Sequence, residues 1–216
     1  MSGATARYVR YAAVMAACGS LVAGCSRSAN TPEKAGIAAT YDATTGKLAE
    51  LAYDSNHNGK VDTWTEMNGT HAVRTRIDRN EDGKIDRWEY YGDHSDLVKV
   101  GLSRADTGKP DTWVFPGGDG KTRRIEISSA ADETKIDRWE HYVGEAIATA
   151  EEDTNHDGRV DKWETYNAGT LATVPFDEDG DGKPDRRLSY VEGSLSAIDS
   201  DPDNTGTFRK HVIVHR

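Results

Sequence analysis

From residue 37 onward, apolar and polar residues alternate over short runs instead of recurring at helical spacing. Residues 61–67 (VDTWTEM) lead into Asn68-Gly69-Thr70, and residues 71–78 (HAVRTRID) follow. The same order recurs in residues 160–166 (VDKWETY), 167–170 (NAGT) and 171–177 (LATVPFD), and an opening pair flanks residues 43–46 (ATTG). Period-two runs of strand length separated by Asn/Gly turns predict β-hairpins. Gly117-Gly118-Asp119-Gly120 reads as one more hairpin turn. The expected fold is all-β. It is an elongated antiparallel meander, or a solenoid-like array, of about 12–15 short strands over residues 37–216.

Between the hairpins one pattern repeats: Asp-x-Asn/Asp-x-Asp-Gly-basic-x-Asp-x-Trp-Glu. Numbered from its first residue, its copies begin at Asp54, Asp78, Ser103, Ser129, Asp153, Asp177 and Asp201, at spacings of 24 to 26. Self-similarity at such a period marks a repeat architecture. All five tryptophans (Trp64, Trp88, Trp113, Trp139 and Trp163) fall at position 11. Period two predicts that position 8 (Val61, Ile85, Val160) and position 14 (Tyr91, Tyr142, Tyr166, Tyr190) share one face, with the tryptophans on the other. A row of this kind reads as architecture. Position 4, which holds His57 and His156 in two copies, is expected to face solvent.

The loop chemistry is that of a hard cation. Calcium takes six to eight oxygens, and alternate carboxylates or amides on a curling chain converge on one point. Two copies match, at every liganding position, the EF-hand loop that this pattern resembles. Asp78, Asn80, Asp82, Asp86 and Glu89 occupy positions 1, 3, 5, 9 and 12 of one; Asp153, Asn155, Asp157, Asp161 and Glu164 do so in the other. Position 7 offers a backbone carbonyl, from Lys84 and Arg159 in these loops, while its basic side chain points out and offsets repulsion when the loop is empty. A third loop has Asp177, Asp179, Asp181, Lys183 and Asp185 but Leu188 at position 12, and is expected to bind. A fourth, with Asp54, Asn56, Asn58, Lys60 and Asp62 and Thr65 at position 12, holds fewer charges and is expected to bind weakly. The Ser103 and Ser129 copies lack carboxylates at positions 1 and 3 and should be empty, and the Asp201 copy is poor in ligands. Asp111 and Asp137 persist at position 9 of the empty copies, so part of that residue's task is to cap backbone N–H groups.

These loops resemble EF-hand loops as found in dockerins, thrombospondin type 3 repeats and bacterial EF-hand proteins. The resemblance covers about 12 residues per repeat, and it implies calcium as the ligand. It does not extend to the flanking helices: the interval between loops is too short for two of them, since average helices run to about 11–12 residues.

The N-terminal segment is of another kind. Arg7 and Arg10 precede a small, apolar run over residues 11–24. That pattern is a secretory signal, too short to span a bilayer. Val22-Ala23-Gly24-Cys25 resembles the lipobox of bacterial lipoproteins. The resemblance implies cleavage before Cys25, lipid (diacylglycerol plus an acyl chain such as palmitate) on Cys25, and a bacterial cell-envelope location. Ser26 favours the outer membrane by the same analogy. An ordinary cleaved signal with a chance cysteine is the alternative. The domains expected are a signal peptide at 1–24, a lipidated flexible tether at 25–36 and one repeat domain at 37–216.

Composition narrows the function. The chain has 216 residues, 36% of them hydrophobic and 30% charged, with a formal charge of −10. The apolar share is low for a globular core, and the acidity excludes a basic nucleic-acid-binding face. With Cys18 removed and Cys25 lipidated, neither of the two cysteines remains for a disulfide, metal or nucleophile. The reading that follows is a lipid-anchored calcium-binding repeat protein with structural ions. Its partners are calcium, the membrane through Cys25 and an envelope protein or glycan. The alternative is an adhesin or scaffold that binds glycan or protein through an aromatic face. A glycosidase-type enzyme ranks last, because acids repeating every 24 residues look like ligands and no catalytic pair stands apart from them.

Overall fold

The computed structural model describes residues 36–214. The expected signal peptide, the lipidated Cys25 and the tether up to residue 35 lie outside the described residues, as do residues 215–216. The described chain forms β1 (Ile37–Tyr41), β2 (Leu48–Tyr53), β3 (Thr63–Asn68), β4 (His71–Ile77) and β5 (Arg87–Tyr91). It continues through β6 (Leu97–Leu102), β7 (Thr112–Pro116), β8 (Thr122–Ile127), β9 (Arg138–Val143) and β10 (Ala146–Glu152). It ends in β11 (Lys162–Asn167), β12 (Thr170–Phe176), β13 (Arg186–Val191), β14 (Ser194–Pro202) and β15 (Phe208–Ile213). All fifteen pair antiparallel in sequence order within one sheet. The sheet is an open meander: β1 and β15 are its two edges and do not pair with each other.

Turn chemistry explains the hairpins. Ala168-Gly169 and Glu192-Gly193 are two-residue connections with positive φ at both positions (48° and 81°; 51° and 76°). That is the type I′ geometry, whose twist matches the strands it joins. Each of the seven hairpins from β1–β2 to β13–β14 that pair an odd-numbered strand with the next also carries a register shift near its turn, as between Glu66 and Met67 and between Ser189 and Tyr190. An extra residue of this kind bends the strand and raises its local twist.

Because strands alternate in direction, the short turns of the odd-to-even hairpins lie at one end of the sheet, and the long loops, with the turn between β14 and β15, at the other. The register places the five tryptophans on one face. Residues at positions 10 and 12, such as Arg87, Glu89, Arg138, Glu140, Lys162 and Glu164, lie on the opposite one. Tyr91, Tyr142 and Tyr166 share that second face, where their hydroxyls donate to Glu89, Glu140 and Glu164. Position 8 does not join them as the alternation predicts. Val61, Ile85 and Val160 precede the strands and stay in the loops, and Val61 is exposed.

Few apolar side chains are buried among the described residues: Trp88, Val100, Trp113, Ala150 and Val174. One intervening strand separates each tryptophan from the next. Each sits on an odd-numbered strand, with Ala52, Arg76, Gly101, Glu126 or Glu151 as its cross-strand neighbours. Gly101 leaves the room in which Trp113 lies, since a Cβ there would come 2.7 Å from the indole. Lys99 covers that ring, with its ammonium 4.0 Å from the centroid.

The most buried polar groups form a second line, at the boundary between strands and long loops. Asp62, Asp111, Asp137 and Asp161 at position 9, with Asp78, Ser103, Ser128, Asp153 and Asp177, are all buried. Burying carboxylates in this number requires hydrogen-bond partners, and the loops supply them.

Candidate metal centres in the loop row

Each long loop is built on its own side chains. In loop 78–86, Asp86 Oδ2 accepts the N–H of Arg79 at 2.6 Å, Asn80 Oδ1 that of Asp82 at 3.1 Å, and Asp82 Oδ1 that of Lys84 at 2.9 Å. Asp78 Oδ2 accepts the N–H of Gly83 at 2.9 Å. Gly83 has φ +90°, a conformation that side chains with a Cβ disfavour. The same set recurs in loop 153–161 through Asp153, Asn155, Asp157 and Asp161. It recurs again in loop 177–185 through Asp177, Asp179, Asp181 and Asp185, and in loop 54–62 through Asp54, Asn56, Asn58 and Asp62. The pattern turns the side chains of positions 1, 3 and 5 inward and closes the curl.

The loop beginning at Ser103 folds the same way without carboxylates at positions 1 and 3. Ser103 Oγ accepts from Thr107 and Gly108, and Asp111 accepts from Arg104 and Ala105. Capping by position 9 therefore holds the turn with or without the remaining ligands. In the loop that ends at Asp137 the register differs from the sequence alignment. Ser128, not Ser129, donates its N–H to the Asp111 carbonyl, as Asp78 donates to Asp62 and Asp153 to Asp137. Ser128 is thus the first residue, and one inserted residue precedes Asp137. The Asp201 copy forms no long loop: β14 runs through Pro202, and a tight turn closes with Asp203 donating to the Thr207 carbonyl.

Three carboxylates converge in one loop. Asp177, Asp179 and Asp185 each offer an oxygen, and these lie within 4.8 Å of one another, so the group could hold a metal ion. The loops with the complete sequence pattern have Asn80 and Asn155 at position 3, which replaces one carboxylate by an amide oxygen. Loop 78–86 carries a different mark. Asp78 is buried, at 6% exposure, and its Oδ1 is buried without any hydrogen-bond partner. A carboxylate oxygen withdrawn from water with nothing donating to it is costly. The carbonyls of Lys60, Lys84, Arg159 and Lys183 likewise receive no backbone hydrogen bond among the described residues.

Position 12 is not part of these curls. Glu89 lies on β5, where it accepts from Arg87 Nε at 2.7 Å and Tyr91 Oη at 2.5 Å. Glu164 lies on β11, within 2.8 Å of both Arg138 Nη2 and Lys162 Nζ. Burial disfavours the Glu164 charge, but Arg138, Lys162 and Tyr166 outweigh it and bring its carboxyl down to about 2. The strand begins at position 10, so position 12 projects from the sheet face. Both glutamates are committed to ion pairs there.

Position 4 does what the sequence reading did not foresee. It is left-handed in loop after loop, with φ of 64° at His57, 58° at Glu81, 53° at Asp106 and 60° at His156. At Glu81, Asp106 and His156 the side chain reaches the preceding loop, whereas His57 Nδ1 lies 3.2 Å from the Asp54 carbonyl of its own loop. Glu81 accepts from Asn56 Nδ2 at 2.7 Å and from Asn58 Nδ2, and pairs with Lys60 Nζ at 3.2 Å. Asp106 pairs with Lys84 Nζ at 3.5 Å, while that ammonium lies 3.4 Å from Asp82. His156 Nδ1 lies 3.6 Å from Asp137. Hydrogen bonds from Asn56 and Asn58 hold the Glu81 carboxyl below its ordinary range, and Asp106 raises the Lys84 ammonium. Neighbouring long loops stand two strand spacings apart, about 10 Å, which a side chain from each can bridge. The signal was present as acids at position 4, but that position lies outside the loop pattern by which the ligands were recognised. Neither family models nor curated proteins give a match to this chain, so the site is read from its chemistry alone.

Proposed function

We propose that this chain is a lipid-anchored, calcium-binding β-repeat protein of a bacterial cell envelope, in which the ions serve the fold. The observation that carries the proposal is the row of acidic curls along one sheet end, with the Asp78 oxygen buried and unpaired in one and three converging carboxylates in another. The donors are oxygens of carboxylates, amides and backbone carbonyls, the set that suits a hard divalent cation. A single-layer sheet with few buried apolar side chains has little core to set against the repulsion that the position-7 cations leave among them. Location and anchoring rest on the lipobox-like Val22–Cys25 segment.

The aromatic-face reading has less support, because Arg76, Glu126 and Glu151 interrupt the tryptophan row. A docking platform would present contiguous apolar surface.

Ions that bind only the folded state stabilise it by RT ln(1 + [L]/Kd), about 2.7 kcal/mol per site at 100-fold excess over Kd. The melting temperature in millimolar calcium is therefore expected well above that in chelator. Equal melting temperatures in the two conditions would sink the structural role of calcium.

A further inference from the structure

The curls taken singly are short of ligands. Loop 78–86 offers Asp78, Asn80, Asp82, the Lys84 carbonyl and Asp86, while calcium takes six to eight oxygens. Glu89, which would complete the set by sequence pattern, is held on the sheet face by Arg87 and Tyr91. One carboxylate with no task in its own loop stands at the mouth of this one. Asp106 belongs to the loop that begins at Ser103, where it accepts no side-chain hydrogen bond, and its left-handed backbone sends it toward Asp82 and Lys84. Lys84 also donates to the Asp106 backbone carbonyl at 2.9 Å, so its ammonium ties the two loops together. In the same loop Asp78 Oδ1 is buried with no donor, a second call for a cation.

We infer that the cation site of loop 78–86 is shared between repeats, with Asp106 of the following loop as the ligand that replaces the displaced position-12 glutamate. Lys84 is then a resident counter-ion: its ammonium joins Asp82 to Asp106 and gives way when the divalent ion arrives, while its carbonyl stays to coordinate. Glu81 stands in the same relation to loop 54–62, against Asn56, Asn58 and Lys60. The repeat would therefore bind its ion with one residue from outside, and each ion would join two loops 25 residues apart in sequence, as Asp106 is from Glu81.

This inference rests on the calcium reading, and the test separates the two. Calcium is titrated calorimetrically into the full chain and its Asp106→Asn, Asp78→Asn and doubly substituted variants, and each is melted in chelator and in calcium. Asparagine tolerates the left-handed conformation, so Asp106→Asn should melt like the parent in chelator. It is expected to weaken one class of site on the order of tenfold, since ligand charge sets the affinity of such loops. Asp78→Asn should abolish that same class, and the double variant should match it. If Asp106→Asn leaves every affinity unchanged while Asp78→Asn loses a site, the ion is not shared and only this inference falls. A melting temperature lowered equally in chelator and calcium assigns Asp106 to the fold, which also overturns it. If the parent chain binds no calcium, both readings fall.

Discussion

At the scale of single residues, positions 1 and 9 of the loops divide the labour. Asp111 is 4% exposed and takes the N–H groups of Arg104 and Ala105 in a loop with Ser103, Ala105 and Thr107 at positions 1, 3 and 5. Replacing it by alanine orphans two backbone donors at a buried site. The expected loss is about 2 kcal/mol, of equal size in calcium and in chelator. Asp78→Ala should differ, with a larger loss in calcium than in chelator. Thermal melts of the two variants under both conditions check the distinction. The persistence of aspartate at position 9 in copies without carboxylates at positions 1 and 3 was readable from the sequence alone. What was not readable was the fate of position 12. Linear spacing says that Glu89 and Glu164 follow the loop by the right number of residues, but only the start of the strand at position 10 decides that they leave it. Position 4 hid for the converse reason: its destination is the neighbouring loop, and a pattern confined to 12 residues has no place for it.

At the scale of the strand, the face opposite the tryptophans is held by charge. Arg138 on β9 reaches Glu140, Glu152 and Glu164, and Lys162 on β11 reaches Glu152 and Glu164. Removing Arg138 leaves these carboxylates short of a partner. Arg138→Met is expected to cost roughly 2 kcal/mol, below the 3–5 kcal/mol of fully buried pairs because Glu152 still meets water. The acid limb has a definite sign. The Glu164 carboxyl, ordinarily near 4.5, titrates at about 2 in the fold. Its contribution is complete above the ordinary value and fades as pH falls toward 2. Melting temperatures between pH 5 and pH 2 should fall less steeply in Glu164→Gln than in the parent. An unchanged slope would remove this pair from the acid response. Alternation in the sequence assigned the tryptophan and tyrosine faces correctly. It misplaced position 8 because the curl, not the strand, owns Val61, Ile85 and Val160. The inserted residue before Asp137 was likewise invisible, since Ser128 and Ser129 are the same residue type and only the backbone bond to Asp111 tells which begins the loop.

At the scale of the molecule, the all-β meander of hairpins was legible from the phased turns and period-two runs. The number of strands fell at the top of the expected range, and the open edges came from the structure. Among the described residues, substantial contacts join only strands consecutive in sequence, so stability is a sum over neighbours and not the property of one core. Amide exchange should then be slowest in the central strands β6–β9 and faster toward β1 and β15. Calcium should slow exchange most at the bases of loops 78–86, 153–161 and 177–185. Exchange followed by mass spectrometry with and without calcium checks both gradients, and uniform protection across the sheet would contradict the neighbour-only picture.

A sheet whose order in space is its order in sequence also has a mechanical character. With β1 at one edge and β15 at the other, a load applied between the two edges is carried through every ladder in series. It peels them one hydrogen bond at a time instead of shearing many at once. Such a zipper yields by steps, each releasing one hairpin's length of chain. If an ion is held jointly by two loops as proposed, it would clamp one end of such a step, and the free cation concentration would set how much tension the strip bears before it pays out.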